Sequence, residues 1–263
     1  MKSRHASGIS TIIPVFLDSG LPLEFLDRAI DSIIMQSKPP LEILVADDSS
    51  AKFGVRDWVD FRSKQTPIPI RYLRNPNAPS LANNSNFSLN SASGDAVHIL
   101  HSDDYLISAT CYESALQLFV ESDCNWIFLE SDPSFPLEIH NPHLIFGINS
   151  LGGPSGLIAR KECYLRYNQR FKMFVDIDLY LRLENNFGPP GLLRGKMVAY
   201  GEGFWQSQKQ ISRVRFYREL FSLLRAHRLS FTTLLGLAES DLGLLRKLVI
   251  FQLSMLAFSC KAL

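Results

Sequence analysis

The chain has 263 residues, of which 46% are hydrophobic and 20% are charged. A chain of this length and composition can form one large packed domain, with or without an appendage, and is not expected to be disordered. Its 27 Lys and Arg nearly balance its 26 Asp and Glu, so the net charge does not indicate a nucleic-acid partner. The four Cys are scattered and form no CxxC pair, which argues against a zinc site or disulfide framework and favours a reducing compartment.

Neither end of the chain shows a typical targeting or membrane-spanning pattern. The N-terminal apolar run is interrupted by Pro14 and Asp18, which argues against a signal peptide. Near the C-terminus, residues 248–258 form an apolar stretch that is too short to cross a bilayer. We therefore expect a cytoplasmic protein that is soluble or peripheral to the inner face of the plasma membrane.

Segments typical of strands and helices alternate along the first half, which predicts a mostly parallel sheet flanked by helices. We predict strands at residues 9–15, 41–46, 70–73, 96–100, 125–129 and 156–159. We predict helices at residues 23–36, 80–92, 108–120 and 176–186. Residues 131–143 are rich in Pro and are expected to form a long loop. The pattern is helical from Ile211 onward, so we expect a main domain at residues 1–208 and an α-helical appendage at 209–263.

Carboxylates follow two of the predicted strands. Asp47 ends the second strand, and Asp103 and Asp104 follow the strand at 96–100. Open α/β sheets bind ligands at the carboxyl ends of their strands. Carboxylates gathered there repel one another unless a cation neutralises them, and hard oxygen ligands suit Mg²⁺ or Mn²⁺. By itself, the Ser102-Asp103-Asp104 segment is explained equally well by a polar turn.

Several segments resemble the family 2 glycosyltransferases of the GT-A fold, and they occur in that family's order and spacing. They are residues 9–16, 26–36, 42–50, 82–84, 94–95, 100–106, 153–162 and 174–183. The resemblance implies an α/β fold, Rossmann-like, with a mixed and mostly parallel sheet. It also implies an enzyme that moves a sugar from a nucleotide sugar, most often a UDP-sugar, to an acceptor hydroxyl.

The resemblance implies roles in donor binding for five residues. Pro14, Phe16 and Asp47 would line the nucleobase pocket, with Asp47 accepting a hydrogen bond from the base. Asn84 would contact the nucleotide sugar, and Asp103 would lie beside its ribose or the metal.

The same resemblance implies a metal and a base. Asp104, helped by Asp103, would coordinate Mn²⁺ or Mg²⁺, and the cation would bridge the donor diphosphate. Asp176 would deprotonate the acceptor hydroxyl in a single displacement that inverts the anomeric centre. The order of Asp47, the Asp pair and Asp176 favours the metal site over the polar turn. The alternative for Asp176 is a helix N-cap or an acid in the first turn of a helix, and Asp178 and Arg182, four residues apart, would form an ordinary surface ion pair.

Some residues depart from the family pattern. His101 stands where many relatives have the first Asp of an Asp-X-Asp triplet, and it is either an additional ligand or a histidine facing a loop. Asn83 replaces a common Arg, and Val175 a frequent Glu. These departures keep open a catalytically silent GT-A domain that binds a nucleotide sugar or a partner. A sugar nucleotidyltransferase is disfavoured because residues 14–18 are not a Gly-rich basic loop.

The remaining expectations concern the acceptor side and the C-terminal region. We expect a saccharide or lipid-linked saccharide acceptor, in the biosynthesis of a surface polysaccharide or glycolipid. Trp205 would either stack on a sugar or pack in the core, and His140 and His143 are expected to be surface loop residues. Residues 211–228 alternate Arg with apolar residues, so this helix would contact an anionic membrane or pack on the main domain.

Overall fold

The computed structural model describes residues 8–135, 137, 149–205 and 212–227. Its strands are β1 (Ile9–Val15), β2 (Glu42–Asp47), β3 (Ile70–Arg74), β4 (Ala96–Ile99), β5 (Tyr105–Leu106), β6 (Trp126–Asp132), β7 (Leu157–Arg160) and β8 (Gly191–Ala199). Its helices are α1 (Leu23–Ile34), α2 (Val55–Arg62), α3 (Leu81–Leu89), α4 (Cys111–Glu121), α5 (Val175–Phe187) and α6 (Arg213–Ala226).

The strands form one mixed sheet with the order β3-β2-β1-β4-β7-β6-β8-β5. The four strands from β3 to β4 are parallel to one another and make the Rossmann-like half. The strand β7 then pairs antiparallel with both β4 and β6, and β8 pairs parallel with β6 and antiparallel with β5. The predicted mixed, mostly parallel sheet flanked by helices is confirmed.

Burial on both faces explains why the central strands read as continuous apolar runs. Every residue of β1 and β2 is buried. Successive side chains point to opposite faces, so Ile12 packs in the core shared with α3, α5 and α6, whereas Ile13 packs in the core shared with α1, α2 and α4. Each such side chain contributes roughly 1.5–3 kcal/mol through burial.

Three elements were not predicted from the sequence. The helix α2 buries only Val55 and Val59 of its eight residues, so its apolar stripe is narrow. The strand β5 has two residues, and β8 is largely exposed in its first six positions and includes Gly195 at a positive φ of 108°. These elements lack the apolar periodicity from which strands and helices are predicted.

The helix α6 packs on the main domain. Leu220, Leu223 and Leu224 are buried in the same core as Leu179 and Leu183 of α5. The predicted boundary between residues 208 and 209 lies outside the described residues, as do residues 228–263 of the predicted appendage and the loop histidines 140 and 143. None of the helices in the described ranges is long and apolar enough to cross a membrane.

Candidate active site

The candidate site lies where the parallel strands end. The strand β1 lies between β2 and β4, with Val15 opposite Asp47. The N–H of Leu100, just after β4, donates to the carbonyl of Ile12 at 2.9 Å. The strand β1 separates the end of β2 from the end of β4. Asp47 therefore lies on one side of β1, and the turn at residues 101–104 on the other.

Asp47 is held in place by hydrogen bonds at the end of β2. Its Oδ2 accepts from the Tyr72 hydroxyl at 2.9 Å and from Arg74 Nη1 at 3.1 Å, and its Oδ1 accepts from the Ser49 N–H at 2.8 Å. The Arg74 guanidinium compensates the buried carboxylate charge. Nearby, Phe16 exposes 45% of its surface, whereas Pro14 is buried within β1. Of the residues predicted to line the nucleobase pocket, Phe16 is the one whose ring is exposed to solvent.

Asn84 joins this side of the site from α3. Its Nδ2 donates to the carbonyl of Ala46 at 2.6 Å, so the side chain lies directly beside the residue preceding Asp47. Its Oδ1 is buried and has no hydrogen-bond partner among the described residues. A buried amide oxygen without a partner is costly, which makes it a candidate acceptor for a bound ligand.

The predicted cation ligands lie in a tight turn after β4. The Asp104 N–H donates to the His101 carbonyl at 3.0 Å, which closes the turn. His101, Asp103 and Asp104 each offer one ligand atom, and these three atoms lie within 4.8 Å of one another. Two carboxylates and an imidazole at this spacing fit a divalent cation.

Asp104 is the deeper carboxylate of the turn. Its Oδ2 accepts from Ser155 Oγ at 2.5 Å, and its Oδ1 accepts from the Gly201 N–H at 2.8 Å. Burial, together with the negative charge of Asp103, raises the pKa of Asp104 well above its usual range. A bound cation would compensate this charge.

Asp103 is the more accessible carboxylate. Its Oδ2 accepts from Trp205 Nε1 at 2.9 Å, and its backbone carbonyl accepts from Arg28 Nη2 at 2.9 Å. The sequence ranked Asp104 above Asp103 as the ligand, but both oxygens of Asp104 already accept hydrogen bonds from the protein. A carboxylate oxygen that accepts one hydrogen bond keeps a lone pair for a cation, so the order of the two ligands stays a prediction. Trp205 packs edge-on against Phe25, with ring centroids 5.0 Å apart, and binds Asp103.

Ser155 is a site residue that the sequence analysis did not single out. Its hydroxyl donates to Asp104 and accepts from the His101 N–H at 2.9 Å. Its carbonyl lies 2.9 Å from Nε2 of the buried His98. Burial lowers the pKa of His98 to about 4, so this imidazole is neutral. Ser155 thus joins the turn after β4 to the segment before β7. Its position within the family-like segment 153–162 was the one available signal.

Asp176 lies in the first turn of α5. Its Oδ1 accepts from the Ile177 N–H at 2.9 Å, and its Oδ2 accepts from Asn149 Nδ2 at 3.0 Å. Burial raises the pKa of Asp176 to about 6. Phe174, and not Asp176, is the N-cap of the helix. A buried carboxyl with a pKa near neutrality suits a general base.

Tyr200 connects the two acidic groups. Burial raises the pKa of its phenol, and the negative charges of Asp104 and Asp176 raise it further, so Tyr200 is within electrostatic reach of both. Its hydroxyl donates to the carbonyl of Gly153 at 3.2 Å. A side chain at Gly152 would place its Cβ 2.6 Å from this hydroxyl. The glycines at this point therefore allow the tyrosine ring to pack closely on the backbone of residues 152 and 153.

Asp178 is buried between two basic side chains that hold it in place. It is 1% exposed, pairs with Arg182 at 2.8 Å as predicted, and lies 3.2 Å from Nε2 of His227 on α6. Although burial alone would raise the pKa of Asp178, the His227 and Arg182 contacts hold it below its usual value. The predicted pair is therefore a buried contact that joins α5 to α6, not a surface ion pair.

The sheet has the GT-A fold and matches the solved structure of S. aureus TarS 1-349 with a TM-score of 0.63. The sequence model of glycosyl transferase family 2 matches residues 10–168, and the chain belongs to this family. Asp176 lies after the matched residues 10–168, so the family match does not cover it. Its proposed role as a base depends on its burial and its hydrogen bonds. No curated protein matches the chain significantly in sequence.

Several solved structures share the fold. S. aureus TarS 1-349 in complex with UDP-GlcNAc has a TM-score of 0.65 and 16% identity, over 91% of this chain and 69% of that one. The mannosyltransferase PcManGT from Pyrobaculum calidifontis in complex with GDP-Man and Mn²⁺ has a TM-score of 0.63 and 13% identity, over 97% and 76%. Glucosyl-3-phosphoglycerate synthase from Mycobacterium tuberculosis in complex with Mn²⁺, UDP and glucosyl-3-phosphoglycerate has a TM-score of 0.56 and 14% identity, over 85% of this chain and 81% of that one.

Proposed function

We propose that this glycosyltransferase is dependent on a divalent cation, uses a nucleotide sugar as donor and inverts the anomeric centre. The observation that carries the proposal is a carboxylate turn whose ligand atoms lie within 4.8 Å of one another, together with the buried Asp176, which Asn149 holds by a hydrogen bond. The cation turn supplies Asp103 and Asp104, and α5 supplies the buried Asp176 with a pKa of about 6. One cation site and one base are what a single displacement requires.

The donor would bind along the ends of the parallel strands. Asp47, held by Tyr72 and Arg74, would accept the imide N–H of a nucleobase, and Phe16 would pack against the base. Asn84 would contribute its unpartnered Oδ1 to the same region. UDP is our first choice. TarS and the synthase bind UDP or a UDP-sugar, whereas PcManGT binds GDP-Man.

The leaving diphosphate would be served by the Asp103–Asp104 turn, and the acceptor hydroxyl by Asp176. Asp103 and Asp104 would hold Mn²⁺ or Mg²⁺, which when bound stabilises the negative charge of the departing diphosphate. Asp176 would take the proton of the acceptor hydroxyl, and Asn149 would orient its Oδ2. The acceptor hydroxyl then attacks the anomeric carbon as the bond to the diphosphate breaks, without a covalent enzyme intermediate.

Calorimetric titration with UDP-GlcNAc, UDP-glucose and GDP-mannose, with and without Mn²⁺, tests the donor part of the proposal. We expect at least one donor to bind, and to bind more tightly with Mn²⁺. Asp103→Asn should lose most of the Mn²⁺ effect, because it removes a charged ligand. The exposed Arg218→Ala on α6 is the matched control and should bind as the wild type does. Absence of binding to the whole panel would contradict the proposal, whereas binding without turnover would favour the catalytically silent alternative.

The acceptor is proposed to be a saccharide or a lipid-linked saccharide, in surface polysaccharide or glycolipid biosynthesis, on the cytoplasmic side of the membrane. The outward face of α6 is compatible with a peripheral membrane contact, since Val214 and Phe221 are exposed together with Arg218 and Arg225. Co-sedimentation with vesicles containing anionic lipid at low salt tests this contact. Arg218→Glu with Arg225→Glu should abolish binding. Equal sedimentation of wild type and variant would contradict it.

A further inference from the structure

His101 has a ring nitrogen without a hydrogen-bond partner. The Nε2 atom is buried and unpartnered within the part of the chain that the structure describes. The nearby His98 differs, because its Nδ1 lies 2.9 Å from the Tyr112 hydroxyl and its Nε2 lies 2.9 Å from the Ser155 carbonyl. Leaving a buried polar atom unpaired costs about 1–3 kcal/mol. Packing alone does not explain the imidazole of His101.

The imidazole of His101 lies beside the two carboxylates of the turn. One ring nitrogen of His101, one carboxylate oxygen of Asp103 and one of Asp104 form a cluster. These three atoms lie within 4.8 Å of one another. Opposite ligands of an ion bound at about 2.1 Å are about 4.2 Å apart, so small side-chain rotations complete the set. The backbone of His101 is fixed from both sides, because its N–H donates to Ser155 Oγ and its carbonyl accepts from the Asp104 N–H.

We propose that His101 is a nitrogen ligand of the cation and that the site therefore selects a transition-metal dication such as Mn²⁺ over Mg²⁺. The inference rests on the proposed function and deepens it. Imidazole favours transition-metal ions, whereas Mg²⁺ is held by carboxylates, phosphates and water. A neutral imidazole also places one less negative charge in the turn than a third carboxylate would, which lowers the repulsion with the buried Asp104.

Pulsed electron paramagnetic resonance of bound Mn²⁺ tests the proposal on the untagged full-length protein. The wild type should show the ¹⁴N coupling of a coordinated imidazole. The variant His101→Asp should bind Mn²⁺ without this coupling, because it offers oxygen only. Its ratio of Mn²⁺ to Mg²⁺ affinity should fall by about tenfold or more, as expected when a metal ligand is replaced. The matched control is His227→Asn, which changes a histidine outside the cluster and should keep the coupling.

Two results would overturn the inference. One is Mn²⁺ binding to the wild type without ¹⁴N coupling, and the other is a coupling that persists in His101→Asp. Either result leaves the proposed function standing if UDP-GlcNAc or another donor still binds more tightly with Mn²⁺. If neither Mn²⁺ nor any donor binds, the inference and the proposed function fail together.

Discussion

The Nδ2 of Asn149 donates a 3.0 Å hydrogen bond to Oδ2 of Asp176. The Oδ1 of the same asparagine accepts from the N–H groups of Leu151 and Gly152, both at 3.0 Å. Asn149 therefore ties the candidate base to the glycine turn on which Tyr200 packs. Because this hydrogen bond stabilises the charged carboxylate, Asn149 opposes the effect of burial on the pKa of Asp176.

The pH dependence of sugar transfer should report the ionisation of Asp176. The base acts only when deprotonated, and its pKa is about 6, so the rate should rise through pH 6 and level off above it. Asn149→Ala removes a donor to the carboxylate, so the midpoint of this rise should move to higher pH. Rates measured from pH 5 to pH 9 check the shift. An unchanged midpoint in Asn149→Ala would show that another group sets the pH dependence.

Asp176→Asn should stabilise the fold at pH 8 while it abolishes transfer. A carboxyl whose folded-state pKa is raised binds more protons in the native state, so folding stability falls as pH rises from 3.8 to about 6 and stays lowered above. The raised pKa of Asp176 lowers the unfolding free energy at pH 8 by about 3 kcal/mol, and Asp176→Asn removes this cost. The variant also weakens the Asn149 hydrogen bond, so the net gain is smaller. Urea unfolding at pH 8 should show a gain of about 1–3 kcal/mol. Lower stability than the wild type at pH 8 would contradict this account of Asp176.

Ser155→Ala should weaken both the fold and the cation site. The change leaves Asp104 Oδ2 and the His101 N–H without their shared partner, at a cost of about 1–3 kcal/mol in unfolding free energy. Mn²⁺ affinity should fall roughly tenfold, as is typical when a residue that orients a metal ligand is lost. Ser122→Ala is the matched control, since its hydroxyl bonds the Leu118 carbonyl at the end of α4. Equal Mn²⁺ affinity in both variants would remove Ser155 from the site.

The helix α6 should matter for catalysis through Glu219. This buried carboxylate accepts from the N–H groups of Lys172 and Met173 at 2.9 and 2.8 Å, immediately before the helix that carries Asp176. Glu219→Ala leaves both groups unpaired and should cost about 2–5 kcal/mol in unfolding free energy. It should lower kcat more than it raises the donor KM, because Asp176 and not the donor site is displaced.

The conservative variant Glu219→Gln keeps an acceptor oxygen and should restore part of the kcat. Arg218→Ala, on the neighbouring exposed position of α6, should change neither quantity. Wild-type kcat in Glu219→Ala would show that α6 does not position the base.

The sequence predicted the parallel half of the sheet well because its strands are buried and apolar on both faces. The strand β1 is a mostly apolar, fully buried run, whereas the first six residues of β8 are exposed or half-buried and show no clear strand pattern. Asp103, Asp104 and Asp176 were predicted as site residues from family-like spacing, whereas their relative accessibility was not predicted. The depth of Asp104 depends on Ser155 and Gly201, which lie 51 and 97 positions away along the chain. No local pattern encodes contacts of that separation.

The central claim is tested most directly by release of the nucleoside diphosphate from a nucleotide-sugar panel with Mn²⁺, by wild type, Asp103→Asn and Asp176→Asn. We predict Mn²⁺-dependent release by the wild type. Asp103→Asn should lose the Mn²⁺ dependence, and Asp176→Asn should bind the donor but fall by at least about a hundredfold in rate, as for loss of a general base. Wild-type rates in Asp176→Asn, or no Mn²⁺-dependent release from any donor by the wild type, would contradict the account.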